Sequence, residues 1–162
     1  MMVEHPMKFI EPMAMAGVSR YIFHYEVTKN SCPDYKYSVE EIIDSIRSSK
    51  MEVALAINPD TPVQVVEPFL CLVDSILIMT VRPGLGGQKF MANMMPKVQH
   101  LRSLKQSTMA DIELDGGVSP DNTDICGKAG ANRIVCGSAL LRSTKKSEDI
   151  LKMRRDLYST ID

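Results

Sequence analysis

The sequence predicts an α/β fold with about five parallel strands, each followed by a helix. Short apolar runs of four to six residues recur along the chain, and four of the five are rich in Ile, Val or Leu. Runs of that kind read as strands buried on both faces. Longer stretches with helical periodicity separate them, and repeated βα units require a parallel sheet with right-handed crossovers. No shift in composition divides the chain, so residues 1–162 read as one domain.

Each element has a local reason. Pro6 suits a first helical position, with Met7–Ala16 following and Gly17 as the stop. Tyr21–His24 is the first strand. The connection Val27–Tyr37 is overlong and holds the turn formers Asn30, Ser31, Pro33 and Asp34. Ser38 caps a helix over Val39–Ser49, and Glu41, three residues on, completes a capping box. Ile42, Ile43 and Ile46 form the apolar stripe of that helix. Glu52–Ile57 is the second strand, and Thr61 with Pro62 opens a short helix through Leu70. Ser75–Thr80 is the third strand. Pro96 opens a helix with Val98, Leu101 and Leu104 on one face. Asp111–Asp115 is the fourth strand, Thr123–Ala129 a helix ending at Gly130, Arg133–Cys136 the fifth strand, and Lys146–Tyr158 the closing helix.

Composition narrows the function. With 44% hydrophobic and 24% charged residues the chain is of ordinary soluble type. Lys plus Arg number 19 against 20 Asp plus Glu, which argues against a nucleic-acid partner. No run of 18 apolar residues and no charged leader with an apolar core occurs, so neither a membrane partner nor secretion is expected. The cysteines Cys32, Cys71, Cys126 and Cys136 lie far apart, with no C-x-x-C pair. Cys71 and Cys136 sit in apolar segments and read as small buried thiols, and a reducing, cytoplasmic compartment is the simpler expectation. The three histidines lack any H-x-H or H-x-x-x-H spacing, so no local zinc motif exists.

The chemistry concentrates at three strand ends. Met79-Thr80-Val81-Arg82-Pro83-Gly84-Leu85-Gly86-Gly87-Gln88 is rich in glycine, which lets backbone N–H groups approach an anion. It is neither a nucleotide P-loop, lacking Gly-Lys-Ser/Thr, nor a dinucleotide fingerprint. In Ile112-Glu113-Leu114-Asp115-Gly116-Gly117-Val118 the alternation of a strand puts Ile112 and Leu114 on one face and Glu113 and Asp115 on the other. A carboxylate at the carboxyl end of a parallel strand, followed by two glycines, suits chemistry on a closely approaching ligand. Ile134-Val135-Cys136-Gly137-Ser138-Ala139 ends the last strand in Gly-Ser. Any one of these turns is ordinary by itself, but three on successive strands point to a phosphorylated substrate.

Those three segments resemble the strand six, seven and eight signatures of the ribulose-phosphate 3-epimerase family. Phe23-His24 with Glu26, and Ala54-Leu55-Ala56-Ile57-Asn58-Pro59, extend the resemblance. It implies a (β/α)8 barrel of the ribulose-phosphate-binding type, present here as an incomplete barrel of about five strands. It also implies the interconversion of ribulose 5-phosphate and xylulose 5-phosphate, with a small sugar phosphate as partner, a divalent metal (Zn, Fe, Mn or Co) as cofactor, and a homodimer. Asp115 matches the strand-seven aspartate, at once acid/base and metal ligand. Gly84, Leu85, Gly86 and Gly87 match the loop closing over substrate. Gly116, Gly117, Gly137 and Ser138 match the phosphate cradle, and Met79 and Met2 match methionines beside the reacting carbons. The resemblance puts the second aspartate and the histidine ligands ahead of Met1, and Arg82 stands where a glutamate is common. Two further readings stay open: a non-catalytic relative keeping the phosphate site, and another phosphosugar epimerase such as one acting on allulose phosphate.

Overall fold

The computed structural model describes residues 1–84, 87–104 and 110–158. Five strands form one sheet in the order β1 (Arg20–His24), β2 (Glu52–Ile57), β3 (Ser75–Met79), β4 (Asp111–Asp115) and β5 (Arg133–Val135). Every neighbouring pair is parallel. Spatial order follows chain order, which is how a barrel wall is laid down one βα unit at a time. The five strands make an incomplete barrel, with β1 and β5 at its two edges.

Register explains the two faces. Tyr21 pairs with Val53, Phe23 with Leu55, Leu55 with Ile76 and Ile76 with Ile112. This face belongs to the main core, and Phe23, Val53, Leu55, Ile76 and Leu114 are all fully buried under the helices. The opposite face carries a smaller apolar cluster of Ala56, Leu77, Met79 and Val81, with Ile22 against it. Below that cluster lie charges: Arg20 reaches Glu113 at 3.7 Å and also holds Glu52, while Arg133 pairs with Asp111. The Met1 amino group donates to the carbonyl of Ile22, so the first residues run along the edge of β1.

The helices follow their local signals. α1 (Ile10–Met15) continues a single 3-10 turn, Pro6–Phe9, so the helix expected from Met7 begins as a tighter coil. α2 (Val39–Ser48) has both capping-box bonds, Ser38 Oγ accepting from Glu41 N–H at 3.2 Å and Glu41 Oε2 accepting from Ser38 N–H at 2.7 Å. Ile42, Ile43 and Ile46 are buried as the stripe requires. Val63–Phe69 is a 3-10 helix with Pro68 inside it. α3 (Met95–Ser103) buries Val98 and Leu101, whereas Leu104 falls past its end as the C-cap. α4 (Thr123–Ala129) stops at Gly130 with φ +103°, and α6 (Lys146–Tyr158) packs on it. Between β5 and α6 lies α5 (Ser138–Arg142), which strand and turn signals alone did not separate from its surroundings.

One expectation is corrected outright. Cys71 is exposed and Cys136 half-buried, and the buried thiol is Cys126, on the inner face of α4. Cys71 sits in the turn closed by Leu72 N–H donating to Phe69 C=O, and Leu72 beside it is exposed as well.

Candidate active site

Glycine-rich segments leave β3 and β4, and a Gly-Ser turn leaves β5, at the same end of the sheet, and hydrogen bonds lock their tips together. Thr80 N–H donates to Asp115 C=O at 2.8 Å, and Thr80 Oγ1 donates to Gly116 C=O at 2.6 Å, tying β3 to β4. Cys136 Sγ donates to Val118 C=O at 3.2 Å, tying β5 to β4. Asn122 Nδ2 holds Gly117 C=O at 3.1 Å. Thr80, called the end of the third strand from sequence, is therefore already a link between tips.

Gly117 shows why glycine is needed here. Its φ is +65°, and a Cβ added there would stand 2.6 Å from the amide nitrogen of Phe90. The β4 tip thus runs against the backbone of residues 88–90, leaving no room for a side chain.

These tips surround a cavity of about 540 Å³. Met2, Met79, Gly84, Gly87, Asp115, Gly116, Gly117, Gly137 and Ser138 all line it, so the site residues expected from sequence meet in one place. Leu85 and Gly86 lie outside the described residues. The wall also holds residues the sequence reading gave no role: Arg82, Gln88, Val135 and Arg142 among them. Gln88 Nε2 donates to Arg82 C=O at 2.6 Å, closing the loop on itself. The Arg82 guanidinium pairs with Asp60, 22 residues earlier, through bonds of 2.6 and 3.3 Å.

Asp115 is the carboxylate on the cavity wall among the described residues. No hydrogen bond satisfies its side chain there, and burial lifts its carboxyl above the usual range, with His24 partly opposing. One step down the same strand face, Glu113 is also pushed up by burial against the pull of Arg20, and its Oε2 accepts no hydrogen bond.

His24, at the tip of β1, is nearly buried at 8% exposure. Its Nδ1 lies 3.2 Å from Oε2 of Glu26, which sits in the 3-10 turn Tyr25–Val27 beyond the strand. Glu26 also accepts from Asn58 N–H at 2.8 Å and from Thr61 Oγ1. Burial alone would raise this carboxyl, yet these bonds from His24, Asn58 and Thr61 bring it below its ordinary value. Lys97 fixes the same loop by donating to the carbonyls of Pro59 at 2.8 Å and Thr61 at 2.5 Å. A second cavity of about 220 Å³, lined by His24, Glu26 and Asn58, adjoins the first across Met2 and Pro83.

Fold and cavity together define a parallel α/β barrel wall whose strand tips close on a polar, glycine-lined site. The chain belongs to the ribulose-phosphate 3-epimerase family, whose model matches residues 1–141. It is 39% identical over 160 residues to the cytoplasmic isoform of ribulose-phosphate 3-epimerase from Oryza sativa, and 40% identical over 157 residues to ribulose-phosphate 3-epimerase from Schizosaccharomyces pombe. Both alignments take in 97% of this chain but only 66% and 64% of those proteins, so the chain spans slightly under two thirds of their length. In fold it is similar to 3-hexulose-6-phosphate synthase from Salmonella typhimurium, with a TM-score of 0.69 at 14% identity, covering 96% of this chain and 69% of that one.

Proposed function

We propose that this chain serves the interconversion of D-ribulose 5-phosphate and D-xylulose 5-phosphate, its cavity gripping the phosphate and Asp115 moving the proton at C3. One observation carries the reading: two glycine-rich strand tips, the Gly-Ser tip of β5 and a carboxylate with no hydrogen bond among the described residues share a single cavity. The volume of about 540 Å³ suits a small phosphorylated sugar. Family membership supports the substrate, as does the epimerase name borne by the rice and fission-yeast relatives.

The chemistry follows from the position of the acid. Hydrogen on the carbon beside a ketone is acidic because its removal gives an enediolate. Asp115 takes that proton as a carboxylate and returns it as an acid. Desolvation raises its proton affinity, which brings it nearer that of the carbon acid's conjugate and favours transfer. The amides of Gly116, Gly117 and Gly137 hold the phosphate, and Met2 and Met79 give the reacting carbons an apolar wall. Fixing the distant phosphate in this way orients C3 before reaction.

The resemblance implies a divalent metal, and the described residues do not make its site. Among them no group of three or more His, Cys, Asp and Glu side chains could hold a metal ion. Asp115 offers one carboxylate, fewer ligands than Zn²⁺ requires, and the Nδ1 of His24 is engaged by Glu26. What these residues supply is therefore proton transfer on one face of the enediolate; inversion calls for a second acid/base on the other face. A cytoplasmic location belongs to the proposal, supported by the rice relative's being named a cytoplasmic isoform, as does homodimer assembly in keeping with the family resemblance.

The test is hydrogen exchange at C3. Each epimer is incubated with the chain in D₂O and followed by proton NMR. Deuterium entering C3 of one epimer, and not entering with Asp115→Asn, is the expected outcome. Equal exchange in both proteins would move the proton transfer to another group.

A further inference from the structure

Two cations line the cavity, Arg82 and Arg142, and they differ in what balances them. Arg82 is held at two points by Asp60, at 2.6 and 3.3 Å, an exposed pair that gives it a protein counter-ion. Arg142 stands four residues after Ser138 on α5, a spacing that puts both on one helix face, and both line the cavity. Among the described residues no carboxylate pairs with Arg142 and none accepts a hydrogen bond from its guanidinium. The acid nearest along the chain on its C-terminal side that packs back on the turn, Asp149, is already taken by Ser143 Oγ at 2.5 Å and Lys145 at 4.0 Å. The cavity wall therefore carries a cation with no counter-ion among the described residues, one helical turn from the Gly-Ser tip.

We propose that Arg142 is a phosphate-binding residue, its guanidinium engaging the phosphoryl oxygens beside Ser138 and making the site select phosphorylated over unphosphorylated sugars. The inference rests on the phosphate reading of the cavity given above and adds a charged side chain to what backbone amides do there. Amide donors recognise any oxyanion of suitable size. A guanidinium adds net charge and a planar fork that matches two phosphoryl oxygens, which a neutral hydroxyl end cannot exploit. Arg142 is exposed, so its contribution falls as salt rises.

The experiment titrates inorganic phosphate into the whole chain, reading affinity by calorimetry and location by the amide NMR shifts of Gly117 and Ser138. The wild-type chain should show both amides moving together. Arg142→Gln should weaken binding about tenfold, and Arg142→Lys about threefold because charge is kept and the fork lost. Raising salt should shrink the gap between wild type and Arg142→Gln. Unchanged affinity in Arg142→Gln, with the amide shifts intact, overturns the role of Arg142 and leaves the phosphate cavity standing. Absence of shifts at Gly117 and Ser138 in the wild-type chain overturns both. Circular dichroism on the exposed-site variants checks that the fold is kept.

Discussion

Asp115 ends β4 and Glu26 lies in the turn just after β1, and both are partly buried, yet their surroundings give them opposite characters. Glu26 is bonded by His24, by the amide of Asn58 and by Thr61, and its proton is held less tightly than in water. Asp115 faces a cavity with no bond to its carboxyl among the described residues, and its proton is held more tightly. A satisfied carboxylate fixes loops. An unsatisfied one, desolvated beside open space, is left available for proton exchange with something that enters. The difference teaches that position on a barrel wall does not by itself assign chemistry; the hydrogen-bond account does.

Substitutions at the two residues should therefore diverge. Asp115→Asn should lower C3 hydrogen exchange by about 10²–10⁴-fold, the span of a lost general base, while the chain stays folded. Glu26→Gln should leave exchange measurable and instead loosen the tip of β1, costing about 1–3 kcal/mol in urea unfolding through lost charge-assisted bonds. Equal loss of exchange in the two variants would break the contrast.

Glycine substitutions sharpen it on the anion side. Gly117→Ala forces a side chain into a left-handed conformation and against the backbone of Phe90, and should cost about 1–3 kcal/mol and abolish phosphate binding. A Cβ on Gly137 meets nothing within 4 Å, so Gly137→Ala should fold as well as wild type. Similar unfolding midpoints for the two would mean that the tip is less tightly packed than described.

The pH dependence of stability separates the carboxylates by sign. Asp115 has a raised folded pKa, so its contribution is present below its unfolded pKa and is lost as pH rises through the folded one. Asp115→Asn should gain on wild type as pH rises through the carboxylate range. Glu26 has a lowered folded pKa, so its contribution is present above its unfolded pKa and is lost as pH falls through the folded one. Glu26→Gln should close its gap to wild type on acidification. Unfolding midpoints between about pH 3 and pH 8 read both slopes. The smallest effect belongs to Ser38→Ala, which removes one capping-box bond far from the cavity and should cost about 1 kcal/mol with exchange unchanged.

Much of this was legible along the chain because the deciding forces are local. Alternation put Ile112 and Leu114 on one face of the fourth strand and Glu113 and Asp115 on the other; the first pair lies in the main core and Asp115 lines the cavity. Ser38 with Glu41 marked the start of α2, and Gly130 the end of α4. Other features depended on partners remote in sequence. The Arg82–Asp60 pair spans 22 residues, and Thr80 finds Gly116 across 36. Glu26 shares strand parity with His24, but the chain has already turned into a 3-10 helix there, which parity cannot register. Cys71 took its burial expectation from apolar neighbours, but it lies with the exposed Leu72 in a surface turn. Arg142 lines the cavity from α5, a short helix with no signal of its own in the sequence.

A structure of the chain with D-ribitol 5-phosphate, which has the carbon chain but no ketone to react, tests the central claim most directly. The phosphate is expected against Gly117 and Ser138, with C3 within about 3–3.5 Å of an Asp115 carboxylate oxygen. A phosphate seated elsewhere, or seated there with C3 turned away from Asp115, would contradict it.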